Sequence, residues 1–183
     1  MLLATLGLAA LGPAARPGRS DGGSFRIRAR ENFESGTVDL ADGRGPLRVN
    51  GLVSAFTLGY ERPFDKLVGL AVQRGSLRDR ETDQKISETT LGLEIKSFPC
   101  EKARLWFVRG GLLASAIDPD GGPGSRWNFG FSVGTGYEFP VWKVGLAPEA
   151  GGKLLWGSDS KSASLIYVAL GVHFYVFRGD PEL

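Results

Sequence analysis

Residues 126–140 read RWNFGFSVGTGYEFP. Trp127, Phe129, Phe131, Val133 and Tyr137 share one parity, while Asn128, Gly130, Ser132, Gly134, Gly136 and Glu138 share the other. A period of two is that of a β-strand. This strand would have one aromatic face and one nearly bare face.

The same pattern recurs along the chain. Alternating runs predict eight strands over 24–35, 49–61, 67–77, 86–97, 104–116, 126–139, 142–156 and 163–177. Several approach the roughly 9–11 residues that cross a membrane at a tilt. The breaks alternate in length. ERPFDK, FPCEKA and the residues around Pro140 are short, with proline to set φ. SGTVDLADGRGPLR, SLRDRETDQK, DPDGGPGS and GSDSKS are longer and polar. Alternating short and long connections fit an up-and-down barrel with one trimmed rim.

Composition narrows the function classes. The chain has 183 residues and a formal net charge of +2, so no basic stripe points to nucleic acid. One cysteine, Cys100, excludes an intrachain disulfide framework, and one histidine, His173, excludes multi-histidine metal sites. No cofactor motif is present. GTGYEF lacks the third glycine and the helix of a dinucleotide fingerprint. DPDGG at 118–122 reads as a hairpin loop rather than a calcium loop.

The start, MLLATLGLAALGPAARPGRSDGG, places an apolar run at Leu2–Leu11. It is too short for a transmembrane helix and suits an export leader over 1–15, cut near Ala14 or Ala15. No basic residues precede it, which reads as a leader truncated at its start. The barrel domain is expected over 23–177, with a periplasmic tail at 178–183.

Charges and glycines share a face in almost every strand. A soluble, lipocalin-like carrier would turn the apolar face inward, and a membrane barrel would turn it to lipid. The 27 glycines favour the second. On a solvated strand glycine only weakens the sheet, whereas a narrow interior holding Arg, Lys and Glu needs the space. One Arg or Lys at the lipid midplane costs about 2–4 kcal/mol, so the ions must face inward. The expected interior network is Arg28, Arg30, Glu94, Arg109, Glu138, Lys143, Glu149, Lys153 and His173, joined by Arg26, Glu34, Glu88 and Lys96. Tyr60, Trp106, Tyr137, Trp142 and Phe174 are expected as an aromatic girdle at the short-turn rim, with Trp127 and Trp156 at the other. Pro148 predicts a bulge or local break. Glu31 and Arg74 fall on the lipid parity, where a bulge or a position above the hydrocarbon would relieve them.

The alternating runs, the turns ERPFDK and FPCEKA, and a final strand ending GVHFYVF resemble the small eight-stranded outer-membrane barrels, the family of the outer membrane protein A barrel domain and outer membrane protein X. The resemblance covers about residues 23–177. It implies an all-β, eight-stranded antiparallel up-and-down transmembrane barrel in the bacterial outer membrane. Its partners would be outer-membrane lipid and, through the aromatic last strand, the barrel-assembly machinery during insertion. Here the chain runs six residues beyond Phe177, as RGDPEL.

The expected role is that of an exported monomer, structural or surface-interacting, through loops around 36–48, 77–85, 117–125 and 157–162 that meet an unidentified external ligand. A narrow solute channel is the alternative reading of the polar interior. Some small outer-membrane barrels are lipid-A-modifying hydrolases. His173 faces the interior near the short-turn rim, away from lipid A, and reads as a network imidazole rather than a general base.

Overall fold

In a computed structural model, the structure describes residues 24–40, 45–62, 66–99, 106–119, 127–141, 144–157 and 162–175. The leader, Cys100, Trp142, Lys143, Phe177 and the tail lie outside the described residues.

The strands are β1 (Ser24–Asp39), β2 (Leu47–Arg62), β3 (Lys66–Asp79), β4 (Lys85–Ser97), β5 (Trp106–Pro119), β6 (Trp127–Tyr137), β7 (Phe139–Val141), β8 (Val144–Trp156) and β9 (Ser162–Tyr175). Neighbours in sequence pair antiparallel, and β1 pairs β9. The sheet therefore closes on itself and leaves no edge. β6 and β7 are one stave interrupted at Glu138, since both pair β8. The result is an eight-stranded, all-β, up-and-down barrel.

The stagger follows from the register. A path from Arg28 through Thr57, Ala71, Gly92, Leu113, Gly130, Leu155 and Ala163 returns to β1 at Val38, ten residues further on. Such a stagger tilts the strands by roughly 35–45°. Each ladder step from β1 towards β2, and onward, thus climbs away from the rim that holds Ser24 and Tyr175. That rim is termed terminal below, and the other distal.

The apolar parity points outward. Trp127, Phe129, Phe131 and Val133 are exposed, as are Leu52, Phe56, Leu91, Leu93, Leu154 and Val168, and Ile166 and Leu112 are 70% and 68% exposed. The other parity packs inside, where Arg109 is 1% exposed. A continuous apolar belt of this extent is rare on a soluble monomer and marks a surface that meets lipid or protein. The soluble carrier with an apolar cavity is excluded, because its greasy face would have to be the inner one.

Two expectations need correction. The β1–β2, β2–β3 and β3–β4 ladders run without a register shift through Glu31 and Arg74, so no bulge relieves either residue. Both are exposed on the outer face. The tight turn expected at FPCEKA falls mostly outside the described residues. The connection between β3 and β4, expected to project, is only 80–84. There Asp79 accepts from the Thr82 backbone N–H at 2.9 Å and from its hydroxyl at 2.5 Å, and Asp83 takes a positive φ of 56°.

Pro148 produces a break without a bulge. Its carbonyl points at β6, against Gly136, so the N–H it lacks would also have faced β6. The ladder stops after Gly136↔Glu149 and resumes in the same register at Phe139↔Leu146. On the β9 side the pairing runs through Pro148↔Leu170 uninterrupted.

Candidate functional site

The inward side chains form three layers. Nearest the terminal rim, Glu138 collects cations. Arg26 Nη1 donates to its Oε1 at 3.2 Å, Lys96 donates to Oε2, and His173 Nδ1 lies 3.1 Å from Oε2. Lys96 also sits 3.8 Å from the centroid of the Phe107 ring and 4.9 Å from that of Phe98, a cation–π clamp. Arg26 is shared with Glu61 at the rim.

The middle layer is built on Arg109. Its Nη1 donates to Glu94 Oε1 at 2.6 Å and its Nε to Glu149 Oε1 at 2.8 Å. Arg30 reaches the same two carboxylates at 3.5 and 3.1 Å, and Arg28 donates to Glu94 and to the Thr57 hydroxyl. Tyr167 completes the set. It accepts from Arg109 and donates to Glu149 Oε1 at 2.8 Å.

Higher still, Lys153 Nζ lies 2.7 Å from Glu34 Oε2 and 2.5 Å from Glu88 Oε1. Asn32 Nδ2 donates to Glu34 at 3.2 Å, and the Thr90 hydroxyl donates to Glu88 at 2.8 Å. The three groups of this ion set come from β8, β1 and β4, which the stagger brings to one level.

Above Lys153 the interior becomes mostly apolar, with Asp79, Ser115 and Asn128 as buried polar exceptions. Val38, Leu40, Val49, Val53, Leu77, Ile86, Leu113, Ile117, Leu155, Ala163 and Leu165 form one buried cluster. The expectation of a polar interior throughout is corrected here, because the distal end is stoppered by hydrocarbon. Parity places Leu113 with Arg109 and Leu155 with Lys153, inside the barrel, but only the register sets them at the distal end.

Chemically, these layers pair charge rather than expose it. Among the described residues, Arg26, Arg28, Arg30, Lys96, Arg109 and Lys153 face Glu34, Glu61, Glu88, Glu94, Glu138 and Glu149. Buried ions are tolerable when matched and hydrogen-bonded in this way. Little space remains. A cavity between Arg28, Thr57, Lys96 and His173 offers about 10 Å³, no more than one water. His173 is buried against Glu138 and opens to neither rim. Among the described residues no cluster of His, Cys, Asp and Glu could hold a metal ion.

The aromatic residues stand on the outer surface. Tyr60, Tyr137 and Phe174 are exposed towards the terminal rim, and Trp127 and Trp156 towards the distal one. Trp106 is half-buried and donates through Nε1 to the Thr135 hydroxyl at 2.7 Å. Phe25 packs on Tyr60 and Phe131 on Trp156, with ring centroids 5.2 and 5.8 Å apart. Phe107 was missed as a member of the interior, and Tyr167, placed on the inward parity, was not expected within the ion network. Parity marks both as inward, but their partners lie on other strands.

No family model matches the chain, and no curated protein matches it in sequence. Among solved structures, Neisserial surface protein A is similar, with a TM-score of 0.65 and 15% identity over 84% of this chain and 99% of that one. Ail, the attachment invasion locus protein of Yersinia pestis, aligns with a TM-score of 0.44 and 16% identity over 83% and 97%. At such identity the first likeness is one of fold. With the closed ladder, the outward apolar belt and the inward ions, the chain has the architecture of the small eight-stranded outer-membrane barrels.

Proposed function

We propose that this barrel is a sealed, non-catalytic anchor in a bacterial outer membrane, whose distal loops meet an external partner. The carrying observation is the double closure of the interior, with paired ions below and the Val49–Leu77–Ile86–Leu155 hydrocarbon above. Among the described residues, an interior filled in this way leaves no route for a solute and no accessible nucleophile or base. What such a scaffold can offer a partner is the distal connections between its strands, 40–46, 80–84, 120–126 and 157–161. The Neisserial barrel of the same fold is named a surface protein, which supports the same reading. Outer-membrane lipid covers the belt, and the assembly machinery acts during insertion.

Planar-bilayer recording of the purified protein tests the closure. The expected record is a flat baseline at applied voltage. Reproducible single-channel steps would replace the anchor with a narrow solute channel.

A further inference from the structure

The apolar belt carries one polar diagonal. Glu31 on β1, Ser54 on β2 and Arg74 on β3 are consecutive ladder partners, and all three are exposed on the outer face. Glu31 sits between Ala29 and Phe33 on β1, and Arg74 follows Val72 and Leu70 on β3. Glu31 is the eighth of the sixteen residues of β1. It therefore lies within the belt rather than above it. Among the described residues, neither the Glu31 nor the Arg74 side chain has a hydrogen bond or ion pair. Ionic groups left against lipid in this way are costly, most of all near the midplane.

The arrangement is self-complementary. The acid and the base flank Ser54 on opposite sides. A twofold axis along the membrane normal, set opposite Ser54, brings each Glu31 in front of the other copy's Arg74. Two ladder steps raise Arg74 above Glu31 by about 6 Å, within the reach of an arginine side chain. A closed twofold contact of this kind uses one patch on both copies. Small residues at its centre, Ser54 and the exposed Ala29, let two backbones approach, and Leu52, Phe56, Leu70 and Val72 stand around them to pack. In lipid, association draws on such packing and on polar contacts rather than on hydrophobic burial.

We propose that the β1–β3 face centred on Ser54 is a homodimer interface, in which Glu31 of each copy pairs with Arg74 of the other. This surface lies on the belt and is independent of what the distal loops bind. The occupant is a second copy of this chain because its charges match the patch in sign and spacing.

Cross-linking in phosphatidylcholine vesicles tests it, using S54C in a C100S background at low protein-to-lipid ratio. Oxidation should give a disulfide-linked dimer. E31Q or R74Q, each close to the native shape, should cut its yield about tenfold, as expected for losing a contact of this class. E31R and R74E chains should each stay monomeric alone and cross-link when mixed. Three results overturn the proposal. They are a monomeric S54C parent, a dimer indifferent to E31Q and R74Q, and a charge-swapped mixture that stays monomeric, as an ion pair within one chain would give. Retention in carbonate-washed vesicles is scored separately, so a failure of membrane insertion is not mistaken for a failure to dimerise. The parent alone decides if the charge-swapped chains do not fold.

Discussion

The hydroxyl of Tyr167 fills the space that a methyl group on Gly134 would need. Gly151 lies against the same hydroxyl from the next stave, so two glycines make the slot in which Tyr167 reaches Arg109 and Glu149. G134A should therefore lower stability by about 1–3 kcal/mol, the usual cost of overpacking a filled core. In a Y167F background the oxygen is gone, and the same alanine should cost much less. Urea unfolding of the four proteins in vesicles gives the coupling. Equal costs in both backgrounds would mean that Gly134 serves the backbone and not the phenol.

Lys153 and Arg109 each bridge two carboxylates, but their replacement should not cost the same. Without Arg109, Glu94 keeps Arg28 and Arg30, and Glu149 keeps Arg30. Without Lys153, Glu34 and Glu88 have no other cation among the ion pairs of the described residues. Leaving buried charge uncompensated costs about 3–5 kcal/mol. K153M should reach that range and R109M should fall below it, by urea midpoints in the same lipid. The reverse order would show that Arg109 alone organises the interior.

Alternation carried most of the fold. It separated Phe129 from Asn128 and Val108 from Arg109, and so marked which side chains share an interior. It could not set height, because parity is blind to position along the barrel axis. Lys153 meets Glu34 and Glu88 only through a stagger of ten residues, which no local pattern encodes. The same blindness hid the distal stopper. Leu77, Ile86 and Leu155 alternate like their polar neighbours, and only the register gathers them at one end. Loop composition misled at 76–85, where Asp79 folds a polar run into a five-residue turn.

The outward placement of Trp127 and Trp156 has a spectroscopic consequence. Both should contact lipid, so brominated phospholipids should quench the protein's fluorescence strongly and aqueous acrylamide weakly. Single Trp→Phe variants assign the signal. Label position along the chain adds depth, since both residues lie towards one rim, where shallow bromines should act better than deep ones. Strong acrylamide quenching with little effect of bromine would place the belt in water.

The two closures of the interior act in series, which predicts how the barrel should respond to being opened. Ile86 and Leu155 are fully buried in the distal cluster, and truncating either to alanine should cost about 2–5 kcal/mol. The double variant I86A/L155A should nevertheless remain silent in planar bilayers, because the Lys153–Glu34–Glu88 set and the Arg109 layer still block the path beneath it. Adding K153A should not simply free a pore either. Glu34 and Glu88 would then lie close without a counter-ion, and water drawn to them has the room left by three truncated side chains. The triple variant is expected to stay silent as well, because the Arg109 layer beneath it keeps all its ion pairs. A conducting I86A/L155A protein would make the hydrocarbon layer the sole barrier and the ion pairs beneath it a lining.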